Sequence, residues 1–211
     1  MPRLWKSVLY MIIENKILPA TNKMINFACL NFHYAKSVPC GRKMAFAIFE
    51  QNEFIGVIIY STGANNNIAK PFKLHQGEVI ELTRVALKSH INPVTYYLSK
   101  TIDIIKNKSP KVQIIVSYAD KDHQHHLGKI YQANNWLYLG ISKTNDKQYF
   151  YKGKWTHERS INSYEKEKRD YLKSCLPSRD NSDKYKYIYC MTKKLRRQYL
   201  KICKEYPKDL G

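Results

Sequence analysis

Ser117-Tyr118-Ala119-Asp120, and then His126-Leu127-Gly128-Lys129-Ile130-Tyr131-Gln132-Ala133-Asn134-Asn135-Trp136, is the stretch that decides how this chain is read. The run leading into it, Val112 to Tyr118, is mostly apolar on both faces, as a strand in the middle of a sheet must be. A polar cluster and a small-residue turn follow at its carboxyl end. A helix from about Leu127 to Asn134 then closes on an aromatic residue. Ligands of open α/β sheets bind at such strand-to-helix junctions.

Working outward, Val79 to Leu87 reads as a strand with Glu81, Thr83 and Val85 on one face and Leu82 and Arg84 on the other. Asn92 as cap and Pro93 as first residue predict a helix to about Lys106. Its Tyr97, Leu98, Thr101, Ile102 and Ile105 are spaced for one inward face. Strand, helix and strand form a βαβ unit that puts two helix starts at one end of the sheet. Met44–Phe49 and Phe54–Tyr60, joined by polar Glu50–Glu53, predict a hairpin. Val8–Leu18 suits a helix, Phe27–Pro39 a loop or short helix ending at a Pro-Cys-Gly turn, and Asn65–Asn67 a loop. Trp136–Ser142 and Gln148–Lys152 read as further strands. The expected class is α/β, a mixed central sheet flanked by helices over residues 1–151. A basic, aromatic-rich extension over 152–211 packs on that core.

In the extension, Tyr185, Tyr187 and Tyr189 alternate with lysines and share one face, a core face on this reading. Lys193, Lys194, Arg196, Arg197 and Lys201 fall on a helix with Leu195, Tyr199 and Ile202 and suit phosphate contacts. The chain carries 36 Lys and Arg against 17 Asp and Glu, a net charge of +19. Self-repulsion at that level points to a polyanionic partner. No apolar run approaches the roughly 18 residues of a membrane span, so nucleic acid is expected and a membrane is not. The short run Ser7–Ile13 lacks a small-residue cleavage site and is not read as a signal peptide. Five cysteines without a C-x-x-C pair indicate free thiols in a reducing, cytoplasmic setting. His123, His125 and His126, without Cys or carboxylate spacing, read as loop residues, not a zinc site.

Several blocks together carry a family resemblance. They are His33-Tyr34, Glu81-Leu82-Thr83-Arg84, Tyr118-Ala119-Asp120, the His126 to Trp136 segment, His157-x-Arg159-Ser160 and Lys186-Tyr187-x-Tyr189. The order of elements and the Tyr131 helix resemble GNAT-fold acyltransferases. The blocks, spread over about residues 30–200, resemble the phage Mom-type DNA modification proteins.

That resemblance implies a GNAT-like fold and a transferase, phage- or prophage-encoded and acting in the host cytoplasm. It would convert adenine N6 in double-stranded DNA to N6-carbamoylmethyl adenine, using acetyl-CoA, to evade host restriction. Because N6 faces the partner thymine, reaching it needs a flipped adenine or single-stranded DNA. The implied catalytic residues are His33, Tyr34, Arg84, Ser117, Asp120 and Tyr131. Val85, Leu87, Lys88, Val94, Thr95 and Tyr96 would hold the coenzyme. The glycine-rich pyrophosphate loop of ordinary GNAT enzymes is absent between Leu87 and Thr95. Coenzyme phosphates would then rest on helix-start N–H groups near Val94–Tyr96 and on Lys88.

Joining N6 to a methylene carbon departs from simple acyl transfer. An oxygen-activating Fe(II) held by His33, Tyr34, Asp120 and Tyr131 is one answer. The conventional alternative uses Asp120 or His33 as base and Tyr131 as general acid toward a leaving thiolate. Two other classes compete: an ordinary GNAT acetyltransferase of a small amine or protein, and a non-catalytic nucleic-acid-binding protein.

Overall fold

A computed structural model describes residues 15–63 and 67–208. In it β1 (Lys16–Pro19), β2 (Lys43–Glu50), β3 (Glu53–Ser61) and β4 (Val79–Leu87) pair antiparallel in sequence order. Gln51 and Asn52, both at positive φ, close the β2–β3 turn in the mirror-image geometry that matches strand twist. Between β1 and β2 lies α1 (Asn22–Asn31), capped by Thr21, whose hydroxyl accepts from Met24 N. It buries Ile25, Ala28 and Cys29 against Val57, Ile59 and Ala86.

After β4 comes α2 (Val94–Lys108), with Tyr97, Leu98, Thr101, Ile102 and Ile105 all buried as their spacing predicts. Then follow β5 (Ile114–Asp120), α3 (Lys129–Ala133) and β6 (Leu137–Ser142). β4 and β5 form the one parallel pair in a seven-stranded sheet of order β1-β2-β3-β4-β5-β10-β6, where β10 is Lys184–Cys190. The parallel pairing covers only Val79–Glu81 against Ile114–Val116. Beyond it β4 stays with β3 and β5 stays with β10, so the two strands diverge and leave an opening in the sheet.

The expected boundary at residue 151 does not follow the strands. β10 lies inside the central sheet, between β5 and β6. Tyr187 and Ile188 point to opposite faces and both are fully buried, which requires a middle strand. Conversely, the strand expected over Gln148–Lys152 is β7 (Lys147–Tyr151), which leaves the central sheet. It pairs with β8 (Lys154–His157) and β9 (Ser178–Asp180) in a separate three-stranded sheet. This lobe, with α4 (Glu158–Ile161) and α5 (Lys166–Cys175), has its own small core of Tyr149, Ile161 and Leu172. After β10 comes α6 (Lys193–Leu200).

The helix expected over Val8–Leu18 lies mostly outside the described residues, and Lys16–Leu18 belong to β1. Of the expected Asn65–Asn67 loop, Asn65 and Asn66 also lie outside them. Asn92 is not the helix cap: Pro93 holds that position, and the Asn92 amide turns to Glu50 instead. The helix placed over part of Phe27–Pro39 begins earlier, at Asn22.

Gly56 permits the close approach of β3 and β4. It has φ +141, and a Cβ there would lie 2.0 Å from the Ala86 carbonyl oxygen. Gly56→Ala is therefore expected to cost about 2–4 kcal/mol of unfolding free energy in a denaturant titration. An unchanged midpoint would show that the β3–β4 spacing is not so constrained.

Candidate active site

The divergence of β4 and β5 opens into a cleft of about 1060 Å³. Five of the six residues expected to be catalytic line it: His33, Tyr34, Arg84, Asp120 and Tyr131. Ser117 is fully buried, one layer below. Its hydroxyl bonds the Leu82 carbonyl at 2.9 Å and the Tyr131 phenol at 2.8 Å, so it joins β5, β4 and α3 just where the strands separate. Ser117 thus supports Tyr131 from behind and does not face the cleft.

Tyr131 is packed by Trp136 and Tyr187, at ring-centroid distances of 5.2 and 5.1 Å. Burial pushes its phenol up to about 12, so it stays protonated at neutral pH. Gly128, at φ +72, starts α3. A Cβ there would lie 2.5 Å from the Tyr187 ring, and this contact explains the small residue before the helix.

His33 and Tyr34 follow the end of α1, and their rings pack together with centroids 4.3 Å apart and planes tilted by 30°. The His33 Nδ1 accepts from Ala35 N at 3.1 Å, which leaves the neutral ring with its proton on Nε2. Burial lowers the His33 pKa to about 4, and the charges of Arg84, His126 and Lys36 add to the effect. The residue is a neutral donor at pH 7. The Arg84 guanidinium bonds the Thr83 carbonyl at 2.7 Å and, at 3.4 Å, both the carbonyl and the hydroxyl of Ser37. It ties the loop carrying His33 and Tyr34 to β4.

Asp120 ends β5. Its Oδ1 accepts from His123 N, Gln124 N and the Ser182 hydroxyl, the last at 2.7 Å. Burial alone would raise its pKa, but these bonds and the charge of Lys184 hold it below the usual carboxylate range. Asp120 is a fixed anion that shapes the 121–126 loop. Ser182, contributed by the segment after β9, was not foreseen. Its contact is 62 residues away in sequence and leaves no local pattern.

The four residues proposed for iron share the cleft but do not suit it chemically. One imidazole nitrogen is occupied by a backbone N–H, one carboxylate oxygen has three donors, and both phenols have raised pKa values. A two-histidine, one-carboxylate facial set is what non-haem Fe(II) prefers. Among the described residues no group of three His, Cys, Asp or Glu side chains gathers to hold a metal. The iron expectation is set aside on this donor chemistry.

Of the six residues expected to hold the coenzyme, only Val85 lines the cleft. Thr95 and Tyr96 line a separate groove between α2 and α3, which Asn134 bridges by donating to Thr95 O and Ser99 Oγ. At the head of α2, the buried Glu50 carboxylate accepts from Ile91 N at 2.7 Å, Asn92 N at 2.8 Å and the Tyr97 hydroxyl. Burial opposes ionisation, yet these donors hold the Glu50 pKa down to about 2. Lys88 is paired with Glu53.

The cations of the cleft come from elsewhere than expected. Lys143, Arg159, Lys184 and Lys186 line it, whereas Lys193, Lys194, Arg196, Arg197 and Lys201 on and after α6 do not. Arg196 donates to the Asn135 carbonyl at 2.6 Å. Within the His157-x-Arg159-Ser160 block, His157 caps α4 by accepting from Arg159 N and lies 3.3 Å from Asp146. Tyr185, Tyr187 and Tyr189 belong to or pack against the main core, as their alternation implied.

The profile of the Mom protein family matches residues 16–208, and the chain belongs to that family. No curated protein matches it by sequence. Among solved structures, the spermidine/spermine N-acetyltransferase SpeG from Vibrio cholerae aligns with a TM-score of 0.51 at 8% identity, over 87% of this chain and 96% of that one. RimL, a ribosomal L7/L12 α-N-protein acetyltransferase, aligns at 0.47 and 11% identity, over 84% and 93%. A GNAT family acetyltransferase from Elizabethkingia anophelis, solved with acetyl-CoA bound, aligns at 0.43 and 13%, over 83% and 97%. At 8% identity the SpeG likeness establishes the acetyltransferase fold and nothing finer.

The His33 environment has a pH signature. Its folded pKa of about 4 lies below the ordinary 6.5, so the unfolded chain takes up the proton first. The stability His33 contributes is complete above pH 6.5 and is lost as pH falls through about 4. NMR of the ring should show no titration between pH 5.5 and 8, and His33→Gln should remove this part of the acid destabilisation. A ring titrating near 6.5 would refute the assigned contacts.

Proposed function

We propose that this Mom family chain is a DNA-modifying transferase that joins the two-carbon unit of an acyl thioester to N6 of adenine; forming the N–CH2 bond and terminal amide of N6-carbamoylmethyl adenine releases the thiol and consumes, in addition, an ammonia-level nitrogen donor and a two-electron oxidant. The observation that carries the reading is the convergence, at one break in the sheet, of an aromatic pair, a neutral imidazole donor, a fixed carboxylate and a protonated phenol under a cationic rim. The family match and the acetyltransferase fold support the same class of chemistry.

In this reading the adenine leaves the duplex, since its N6 faces the partner base. Tyr34, half-exposed and packed against His33, offers a π-face to the extruded ring. The cleft volume holds a base and a short acyl group together. Lys143 and Lys184 meet flanking phosphates, and the α6 cations Lys193, Lys194, Arg197 and Lys201 extend the contact along the strand. The N6 lone pair is shared with the purine ring, so bond formation there is completed by loss of an N6 proton, and the Asp120 carboxylate in the cleft lining is the acceptor for it. Tyr131 donates its proton to the charge that develops on the acyl oxygen or leaving group. The acyl donor is a thioester of the acetyl-CoA type. The five cysteines, all free, fit a reducing host cytoplasm.

Mass spectrometry of nucleosides from cells expressing the protein tests this. N6-carbamoylmethyl deoxyadenosine is expected in their DNA. Unmodified DNA alongside acetylated amines would instead identify an ordinary acetyltransferase. Tyr131→Phe keeps the ring packing and should lower modification by about 100-fold or more, while DNA affinity changes less than about twofold. Lys184→Ala with Lys143→Ala should weaken DNA binding and reduce the salt slope by about 0.9 per lost phosphate contact. Loss of affinity in the first variant, or loss of modification without altered salt dependence in the second, would reverse the assigned roles.

A further inference from the structure

We infer that the head of α2 is not a seat for nucleotide phosphate in this chain: the Glu50 carboxylate fills it as a built-in anion, and the acyl donor is held by its acyl-bearing arm alone. The inference rests on the acyl-transfer reading above and specifies how that site grips its donor.

Three observations converge on it. First, the backbone donors ahead of the helix are already used. Ile91 N and Asn92 N donate to the two oxygens of Glu50, and the Asn92 amide at 2.9 Å and the Tyr97 hydroxyl complete the shell. Glu50 is 4% exposed, so the shell is closed to solvent. Second, the turn has no flexibility to present further donors. Leu87 to Thr95 contains no glycine, Pro93 at the cap has no N–H, and Tyr96 N is spent on the Pro93 carbonyl. Third, Lys88, the cation carried by the turn itself, is paired with Glu53, which lies just across the β2–β3 turn from Glu50.

The Glu50 carboxylate accepts Ile91 N and Asn92 N in the turn just ahead of this helix, and a negative charge at that end complements the helix dipole as a bound phosphate would. A second anion at the same place would face the buried Glu50 carboxylate at close range. The opening between β4 and β5 is not blocked in this way, and Val85 and Tyr131 line it. A narrow arm carrying a thioester fits there, whereas a pyrophosphate at the head of α2 does not. The donor class is thus an acyl thioester whose recognition ends at a pantetheine-like arm, whatever carrier lies beyond.

The test uses the full chain with coenzyme A, pantetheine and adenosine 3′,5′-bisphosphate as probes, read by calorimetry and by hydrogen exchange at residues 91–97. The expectation is that coenzyme A and pantetheine bind within about threefold of each other and that the bisphosphate leaves those amides unchanged. Coenzyme A binding about tenfold or more tighter than pantetheine, or protection of residues 91–97 by the bisphosphate, would overturn the inference. Glu50→Gln keeps the shape and deletes the charge, and it should shift the ratio toward coenzyme A. An unchanged ratio in a folded Glu50→Gln variant would show that Glu50 is not the occupant that matters. Binding of neither thiol would bring down the acyl-donor reading itself, while the bisphosphate exchange still reports on the seat.

Discussion

Two parallel strands that stay paired for three residues and then part leave backbone groups on their facing edges without ladder partners. Buried groups of that kind must be satisfied somewhere. Here Ser117 performs the first repair, taking the Leu82 carbonyl and the Tyr131 phenol together at the point of separation. Everything that makes the cleft follows from this joint. Tyr131 is held upright by it, Trp136 and Tyr187 pack around Tyr131, and Gly128 is small because the Tyr187 ring lies against it. A hydroxyl in the middle of an otherwise apolar strand is therefore the residue on which the shape of the opening depends.

The electrostatics are arranged around the same joint. Lysines at the rim favour phosphate, while the interior holds side chains fixed in one protonation state. His33 is neutral, Tyr131 is protonated, and Asp120 is ionised and hydrogen-bonded. A site built this way does not need to move protons to admit its substrate. The lobe formed by β7–β9 with α4 and α5 closes the arrangement, since Ser182 beyond it secures Asp120, and His157 and Arg159 face the cleft from it.

Much of the fold was legible from local pattern. The bounds of β4 match its alternation, the inward face of α2 matches its spacing, and the β2–β3 hairpin matches its polar turn. The convergence of His33, Tyr34, Arg84, Asp120 and Tyr131 was legible only through family resemblance, because the first two lie on a loop with no periodicity of its own. What escaped was non-local. Glu50 reads as a polar turn residue, and its partners lie 41 to 47 positions away. The placement of β10 inside the sheet depends on a crossover from the small lobe that no alternation records. The lysines of β10 read as surface charges, although Lys186 is partly buried, 4.8 Å over the Phe72 ring, with its pKa lowered by desolvation.

The most direct test is a crystal structure of the protein with DNA carrying an adenine opposite an abasic site, where extrusion costs least. The adenine is expected in the cleft between β4 and β5, stacked on Tyr34, with N6 facing the Tyr131 hydroxyl. A duplex bound along α6 with its adenine still stacked, and the cleft empty of DNA, would contradict it.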